Sequence, residues 1–449
     1  MRTFPIGGIH PSDNKSWSKD KAIEVMALPD EVVIPLIQHI GAPATPVVAK
    51  GDKVLTGQLI AQSMGFVSAN IHSPISGTVK SIDLYPNGQG LLRQAIIIKR
   101  EGDEWIESID RTPEFKRECT LAPTEIINKI KEAGIVGLGG ATFPTHVKLS
   151  IPDGQKAEIL IINGVECEPY LTSDYRTMME RGEEMLTGVE ILMRALRVER
   201  AVIGVENNKP DAVAHLRELA AKGNYRGIEI MPLKTRYPQG GEKQLIAAVT
   251  GRQVPPPPAL PISVGAVVCN ASSAVAVYEA VQKNKPLIER VVTVTGKEIA
   301  EPRNLLMRFG VSVKSLIDVA GGLPEGDVKI LNGGPMMGRA IVDINTPVMK
   351  GCSGITILTG KEASRHEELS CIKCAKCVSA CPMGLEPYML AKLGKLQKWD
   401  KAEEYNAVDC IECGCCSYTC PSYLPLLDYI RLAKQTVMAN IRTRAINNK

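Results

Sequence analysis

The sequence predicts a multidomain protein in four parts: a β-rich N-terminal domain (1–115), an α/β domain (116–285), a small α+β module (286–360) and a helical, cysteine-rich domain (361–449). Three observations carry this. Short alternating apolar stretches separated by glycine turns run from 31 to 100. From Thr124 onward, strand-like and helix-like runs alternate. Nine of the 13 cysteines then crowd between Cys371 and Cys420.

In the first part, the stretches VVIPLI, TPVVAKGDKVLTGQLIA, SPISGTVKSI and QAIIIK read as short strands. The segment from Gly51 to Val79 resembles the barrel-sandwich domains that carry lipoyl or biotin. Such carriers need a lysine at a hairpin tip. Here the matching stretch, Met64 to Asn70, has none. The resemblance implies the fold and argues against a swinging arm.

In the second part, Thr124 is expected to cap a helix running to Ala133 and stopped by Gly134. A glycine-rich loop follows, Gly134 to Pro144, with Pro144 opening the next helix. Residues 158–163, 201–205, 228–233 and 266–270 read as strands, with helices near 176–197, 210–221, 241–250 and 272–283, the pattern of a wound α/β sheet. VPPPPALP (254–261) is a stiff connection. The loop is no dinucleotide fingerprint: it follows a helix, and G-x-G-x-x-G would need glycine at Thr142. Its backbone amides, leading into a helix, still suit a phosphate, and Lys148 one turn on adds charge. The segments Asn163–Pro169 and Tyr237–Lys243, with Asn270, sit where the carboxyl ends of strands place ligands.

Residues 289–346 return to short β stretches around a helix at 311–320. The last part holds two strings, Cys371-x2-Cys374-x2-Cys377-x3-Cys381-Pro382 and Cys410-x2-Cys413-x2-Cys416-x3-Cys420-Pro421. Each matches the bacterial ferredoxin run, in which the fourth thiolate reaches the other cluster. Two [4Fe–4S] clusters are therefore expected, one on Cys371, Cys374, Cys377 and Cys420, the other on Cys410, Cys413, Cys416 and Cys381. Structural zinc needs only separated C-x2–4-C pairs. Disulfides belong to oxidising compartments, and the N-terminal MRTFPIGGIHPSDNK lacks a signal core. Cys415 is expected to pack rather than ligate. The helix-patterned interval 385–409 makes this a helical ferredoxin-like domain.

A formal charge of +4 gives no argument for nucleic acid, and no run of about twenty apolar residues predicts a membrane span. After Asp428 the tail carries Arg431, Lys434, Arg442, Arg444 and Lys449 without an acid. It reads either as a helix packed on the cluster domain or as a docking helix for partner subunits or anionic headgroups.

Together, the loop and the acidic segment resemble the flavin-binding, NADH-oxidising subunit of respiratory complex I, with its GRGGAGFPTGLK and NADEGEP motifs. Gly137, Gly139, Gly140, Ala141, Phe143, Pro144 and Lys148 fall on the first; Asn163, Glu166, Glu168 and Pro169 fall on the second. The resemblance implies that the loop and Lys148 hold the FMN phosphate, that the acidic residues line the FMN and nicotinamide side, and that Asn270 lies near the flavin. Leu138, Thr142 and Val165 replace the usual arginine, glycine and aspartate.

With the barrel in front and two ferredoxin strings behind, the whole chain resembles the RnfC family of the Rnf complexes, membrane assemblies that pump ions while exchanging electrons between ferredoxin and NAD. That resemblance implies a β-grasp-like third module, two [4Fe–4S] clusters and FMN as cofactors, and NAD(H) as substrate. It also implies partner subunits, a ferredoxin-like one among them, and a peripheral place on the cytoplasmic face of the membrane. No general acid or base is nominated. A cobalamin reductase-type relative is the alternative enzyme, disfavoured because the barrel comes first. A pure electron relay without a substrate site is the alternative outside enzymes.

Overall fold

The computed structural model describes residues 1–447. The first strand, β1 (Ile23–Val25), lies apart from the barrel. Strands β2 (Glu31–Pro35), β4 (Lys53–Val54), β7 (Gly77–Pro86) and β8 (Leu92–Arg100) form one sheet in the order β2-β8-β7-β4, and β3 (Thr45–Pro46), β5 (Leu59–Gln62) and β6 (Ile71–His72) form a second. Val32, Ile34, Val54, Ile60, Ile71, Val79, Ile96 and Ile98 bury their side chains in one core, which is the alternation the sequence shows.

The α/β domain opens with helix α1 (Pro123–Glu132), its cap at Ala122 two residues upstream of the expected one. Pro123 takes the first helical position, where no amide is needed, and the Glu125 carboxylate accepts the Ala122 amide at 2.6 Å. Helix α2 (Thr145–Leu149) is short, with Pro144 as its cap rather than its first residue. Strand β9 (Ile159–Asn163) precedes α3 (Ser173–Glu180) and α4 (Gly182–Leu196), so the expected helix over 176–197 is two helices broken at Arg181. There follow β10 (Ala201–Glu206), α5 (Pro210–Lys222), β11 (Ile228–Leu233), α6 (Glu242–Thr250), β12 (Ala266–Asn270) and α7 (Ala271–Gln282).

The four strands are all parallel, in the order β11-β10-β9-β12. Alternate residues serve opposite faces. Leu160, Ile162, Ile203 and Val267 pack under α1, α4 and α7, whereas Ile161, Val202, Met231 and Val268 pack on α6. Burial on both faces explains why these strands read as continuous apolar runs.

The third module is a mixed sheet of β13 (Glu289–Thr295), β14 (Arg303–Arg308), β15 (Val328–Asn332), β16 (Arg339–Ala340) and β17 (Gly354–Thr359), with helix α8 (Val313–Val319). Its order is β1-β14-β13-β17-β15-β16, so the N-terminal β1 supplies an edge strand. Beyond the short α9 (Gly360–Ala363), the cysteine-rich domain comprises α10 (Lys376–Ala380), α11 (Pro387–Lys395), α12 (Trp399–Glu404), α13 (Cys415–Tyr418) and α14 (Leu426–Asn447).

Helix α14 is a structural helix over most of its described length. Ile430, Ala433 and Val437 are buried with Leu390 and Ala391 of α11. Arg431 and Lys434 both pair with Glu412, and Arg444 pairs with Glu403. The packed reading of the tail accounts for those contacts, and Lys449 lies outside the described residues. No described helix is long and apolar enough to cross a membrane.

Candidate redox site

The parallel sheet fixes where a ligand would sit. Its strands follow in the order third, second, first, fourth, so the direction of winding reverses between β9 and β12. Ligands of open α/β sheets bind at the carboxyl ends of such a switch point. The residues ending those two strands are Asn163 and Asn270, paired in register.

Around them the sequence brings its polar loops together. Asn163 Nδ2 donates to Gly240 O at 2.8 Å, which ties in the Tyr237–Lys243 turn. Asn270 caps α7 by accepting the Ser273 amide, and its Nδ2 donates to Asp174 Oδ2 at 2.6 Å. Ser272 Oγ holds the other Asp174 oxygen at 2.5 Å. Asp174 was not legible as a site residue, because nothing in its spacing sets it apart.

The glycine loop stands directly over Asn270. Gly137 N donates to Phe143 O, closing the loop at its base, and Leu138 N donates to Ser273 Oγ. A Cβ on Gly139 would fall 2.7 Å from Asn270 Nδ2, whereas one on Gly140 would meet nothing within 4 Å. The loop thus seats its backbone on the sheet and leaves its outer side open, a fit to a phosphate-bearing cofactor. Lys148 Nζ lies at the same strand end, donating to Val268 O at 3.0 Å and to Glu242 Oε1 at 2.9 Å. Burial opposes its charge, but the Glu242 carboxylate holds its pKa above the ordinary lysine value. Thr142 adopts φ +54°, a left-handed conformation costing L-residues about 1–2 kcal/mol.

The acidic segment is pinned from several sides. Glu166, at φ +46°, places its carboxylate on the amides of Asp174 (2.7 Å) and Tyr175 (3.2 Å), at the start of α3. Burial pushes its pKa up to about 7, against the pull of Lys15. Glu168 Oε1 accepts the amides of Met336 (2.6 Å) and Met337 (2.9 Å) from the third module, and burial raises its pKa too. Two buried lysines hold the backbone of this segment: Lys209 donates to Val165 O at 2.8 Å, and Lys15 to Glu168 O at 2.9 Å. Neither was anticipated, since an isolated lysine reads as surface. Val165 itself is buried in the apolar layer with Leu233 and Leu245.

The cysteines divide into two environments. Cys381, Cys410, Cys413 and Cys416 line one small pocket together with Cys415, and its other walls include Leu385, Leu390, Leu427 and Ile430. Burial pushes the Cys410 thiol up to about 11 and Cys416 up to about 12, while a hydrogen bond from Cys415 lowers Cys413. Backbone amides of Leu385 and Glu412 point at the Cys381 and Cys410 sulfurs, each at 3.4 Å. Four thiols around one apolar pocket suit a four-iron cluster, which would take one thiolate on each iron. Cys415 is buried, with its thiol toward Tyr237 O at 4.0 Å.

Cys371 and Cys374 are exposed, with Cys377 and Cys420 partly buried. The Leu369 amide donates to Ser422 O and Ser422 Oγ to Ser370 O, so the start of the first string lies against the end of the second. The buried set also abuts the α/β domain. Tyr237 Oη donates to Cys413 O at 2.8 Å, and Tyr237, Cys413 and Cys415 share an apolar cluster with Cys167 of the acidic segment.

Comparison with known proteins agrees with this layout. Residues 3–103 match the RnfC barrel sandwich hybrid domain, 130–279 the Nuo51 FMN-binding domain, 291–340 the SLBB domain and 363–421 the 4Fe-4S dicluster domain. The chain is 48% identical over 430 residues to the C subunit of the proton-translocating ferredoxin:NAD(+) oxidoreductase complex of Clostridium ljungdahlii, covering 95% of this chain and 93% of that one. It is 43% identical to the C subunit of the Na(+)-translocating counterpart in Acetobacterium woodii, with 97% of each covered. It is also 43% identical to the C subunit of the ion-translocating oxidoreductase complex of Rhodobacter capsulatus, over 87% of this chain and 75% of that one. The chain belongs to the RnfC family, the C subunits of the ion-translocating oxidoreductase complexes.

Proposed function

We propose that this chain exchanges hydride with NAD(H) at the switch point and relays single electrons to partner subunits of a membrane-bound ferredoxin:NAD⁺ oxidoreductase. Bound FMN supplies the conversion between hydride and single electrons, and two bound [4Fe–4S] clusters supply the one-electron carriers. The amides of Gly139 and Gly140 would cradle the FMN phosphate, with Gly137 closing the loop beneath them through its own amide, and Lys148 would add a charge at the phosphate. Asn163 and Asn270 fix the floor of the site. Glu166 and Glu168 present the nicotinamide side, held there by the α3 amides and the Met336–Met337 turn. Cys410, Cys413, Cys416 and Cys381 ligate the inner cluster; Cys371, Cys374, Cys377 and Cys420 ligate the outer one.

One observation carries the reading. The acidic segment that borders the switch point is packed through Cys167 and Tyr237 onto Cys413, so the flavin end and the buried cysteines share one apolar contact. Electrons therefore enter at the inner set and leave by the exposed set toward a partner. The protein sits peripherally on the cytoplasmic face of the membrane. Domain limits at 115, 285 and 360 separate barrel, flavin domain, β-grasp-like module and cluster domain.

Protein purified without oxygen should contain about eight irons from its two four-iron clusters and a flavin absorbance that NADH bleaches. The relay reading draws on Thr142 and on Val165, buried where a carboxylate would stand. A flavin that dithionite reduces and NADH does not would select it.

A further inference from the structure

The barrel has the fold of a carrier without the carrier's lysine, which leaves its hairpin without an evident task. The structure shows where that hairpin goes. The end of that hairpin lies against the residues that lead into the glycine loop: Asn70 Nδ2 donates to Glu132 O at 3.1 Å, while from a separate barrel turn the Ile40 amide donates to Thr142 O at 3.4 Å. Gly134, at φ +65°, packs on the Asn70 carbonyl so closely that any Cβ would clash with it.

At this seam lies Lys350 of the third module, 1% exposed. Its Nζ donates to Asn70 O at 2.9 Å in the barrel and to Gly134 O at 2.8 Å in the flavin domain. Its own carbonyl accepts from Arg290, its amide donates to Gln38 Oε1, and the next residue, Gly351, abuts Thr142. A fully buried lysine with only carbonyls for partners is costly to keep.

We propose that Lys350 is a positioning residue that clamps the barrel hairpin against the flavin loop, making the barrel a buttress for the flavin site. The inference rests on the reading that the Gly134–Pro144 loop holds FMN. Three domains meet on one ammonium, and its two acceptors are on the hairpin and on the residue from which the loop departs. Movement of the hairpin would therefore free the loop.

The charge state follows from the same geometry. Burial pushes the Lys350 pKa down to about 7, with no carboxylate to offset it. The groups facing it are His39 and His72 of the barrel, both held neutral by burial and by Lys350, and Arg290 of β13. A neutral amine still has two N–H groups for its two carbonyls. Because the folded pKa lies below the unfolded value of 10.5, this lysine disfavours the fold at and below pH 7, and its penalty fades as pH rises toward 10.5.

The test uses the full chain, with FMN binding followed by fluorescence quenching. Lys350→Met is expected to weaken FMN affinity about tenfold, as losing one such clamp implies, and Asn70→Ala severalfold. Amide exchange should quicken at 63–70 and 134–144 and stay unchanged in the cluster domain. Between pH 7 and 9 the melting temperature of the wild type should rise relative to Lys350→Met. If Lys350→Met fails to fold, Lys350→Gln, whose shorter side chain cannot hold both the Asn70 and Gly134 carbonyls, decides by the same affinity reading. FMN affinity within twofold of wild type in the folded variants overturns the clamp, even if exchange quickens. A wild-type chain that binds no FMN overturns the flavin reading itself, and the clamp with it.

Discussion

The two cysteine strings are nearly the same sequence in two different solvents. The set of Cys381, Cys410, Cys413 and Cys416 lines a chamber walled by leucine and isoleucine and backed by the flavin domain. The set of Cys371, Cys374, Cys377 and Cys420 opens outward, with Ile372 67% exposed beside it. Spacing settles which thiols can reach a cluster. Burial, amides aimed at sulfur and access of water then tune the potential of each cluster. The same ligand string can therefore serve as an inner station or as an outlet.

The largest expected effect breaks the pair apart. Cys413→Ser and Cys374→Ser should each leave about four of eight irons, yet they should differ in electron transfer. NADH should still reduce the surviving inner cluster in Cys374→Ser, and should leave the outer cluster oxidised in Cys413→Ser. Electron paramagnetic resonance after NADH addition reads this directly. Equal reduction in both variants would reverse the inner–outer order.

Truncation after Leu427 comes next. It removes Ile430, Ala433 and Val437 from the core and takes away Lys434, whose Nζ donates to Cys410 O at 2.7 Å. Loss of those buried side chains should cost about 5 kcal/mol or more, and the inner cluster should fail to assemble. A truncated chain with full iron content would return the tail to a purely peripheral role.

Lys148→Ala should weaken FMN binding by about 1.5–3 kcal/mol, the worth of a charge-assisted contact, with both clusters intact by iron analysis. The smallest effect sharpens the comparison: Tyr237→Phe removes the hydroxyl from Cys413 O. It should shift only the inner midpoint potential, by a few tens of millivolts, in a redox titration. A matching shift in the outer cluster would mean that Tyr237 acts on the fold as a whole.

Much of this was legible because a single physical demand dominated each stretch. A sheet covered on both faces needs unbroken apolar strands, so 228–233 and 266–270 could be read to the residue. A cubane needs thiols at fixed intervals, so a two-cluster domain could be read from the cysteine spacing, in keeping with the 4Fe-4S dicluster match over 363–421. What escaped is what depends on distant partners. Arg181 breaks the expected long helix where its guanidinium meets Glu184 and Glu279. Strands β1 and β17 exist because β14 and β13 stand ready to pair with them, which no local pattern states. Lys15, Lys209 and Lys350 are buried on main-chain carbonyls, and lysine normally belongs outside. At the glycine loop the run of glycines could be read from the sequence, but the lysine that donates to Gly134 O could not.

The N-terminal arm carries a consequence for synthesis. Arg2 bridges Leu233, the Gly8 amide donates to Ala380 O at 2.9 Å, and β1 pairs with β14. These residues leave the ribosome long before their partners and stay unpaired until most of the chain has been translated. At about 5–20 residues per second, Gly8 waits roughly 20–70 s for Ala380 to be made. The barrel and the flavin sheet have time to form during translation, while the Gly8 turn of the arm closes last. A nascent chain stalled before the first cysteine string would therefore have partners for Arg2 and β1 but none for the Gly8 amide, leaving that turn open to solvent.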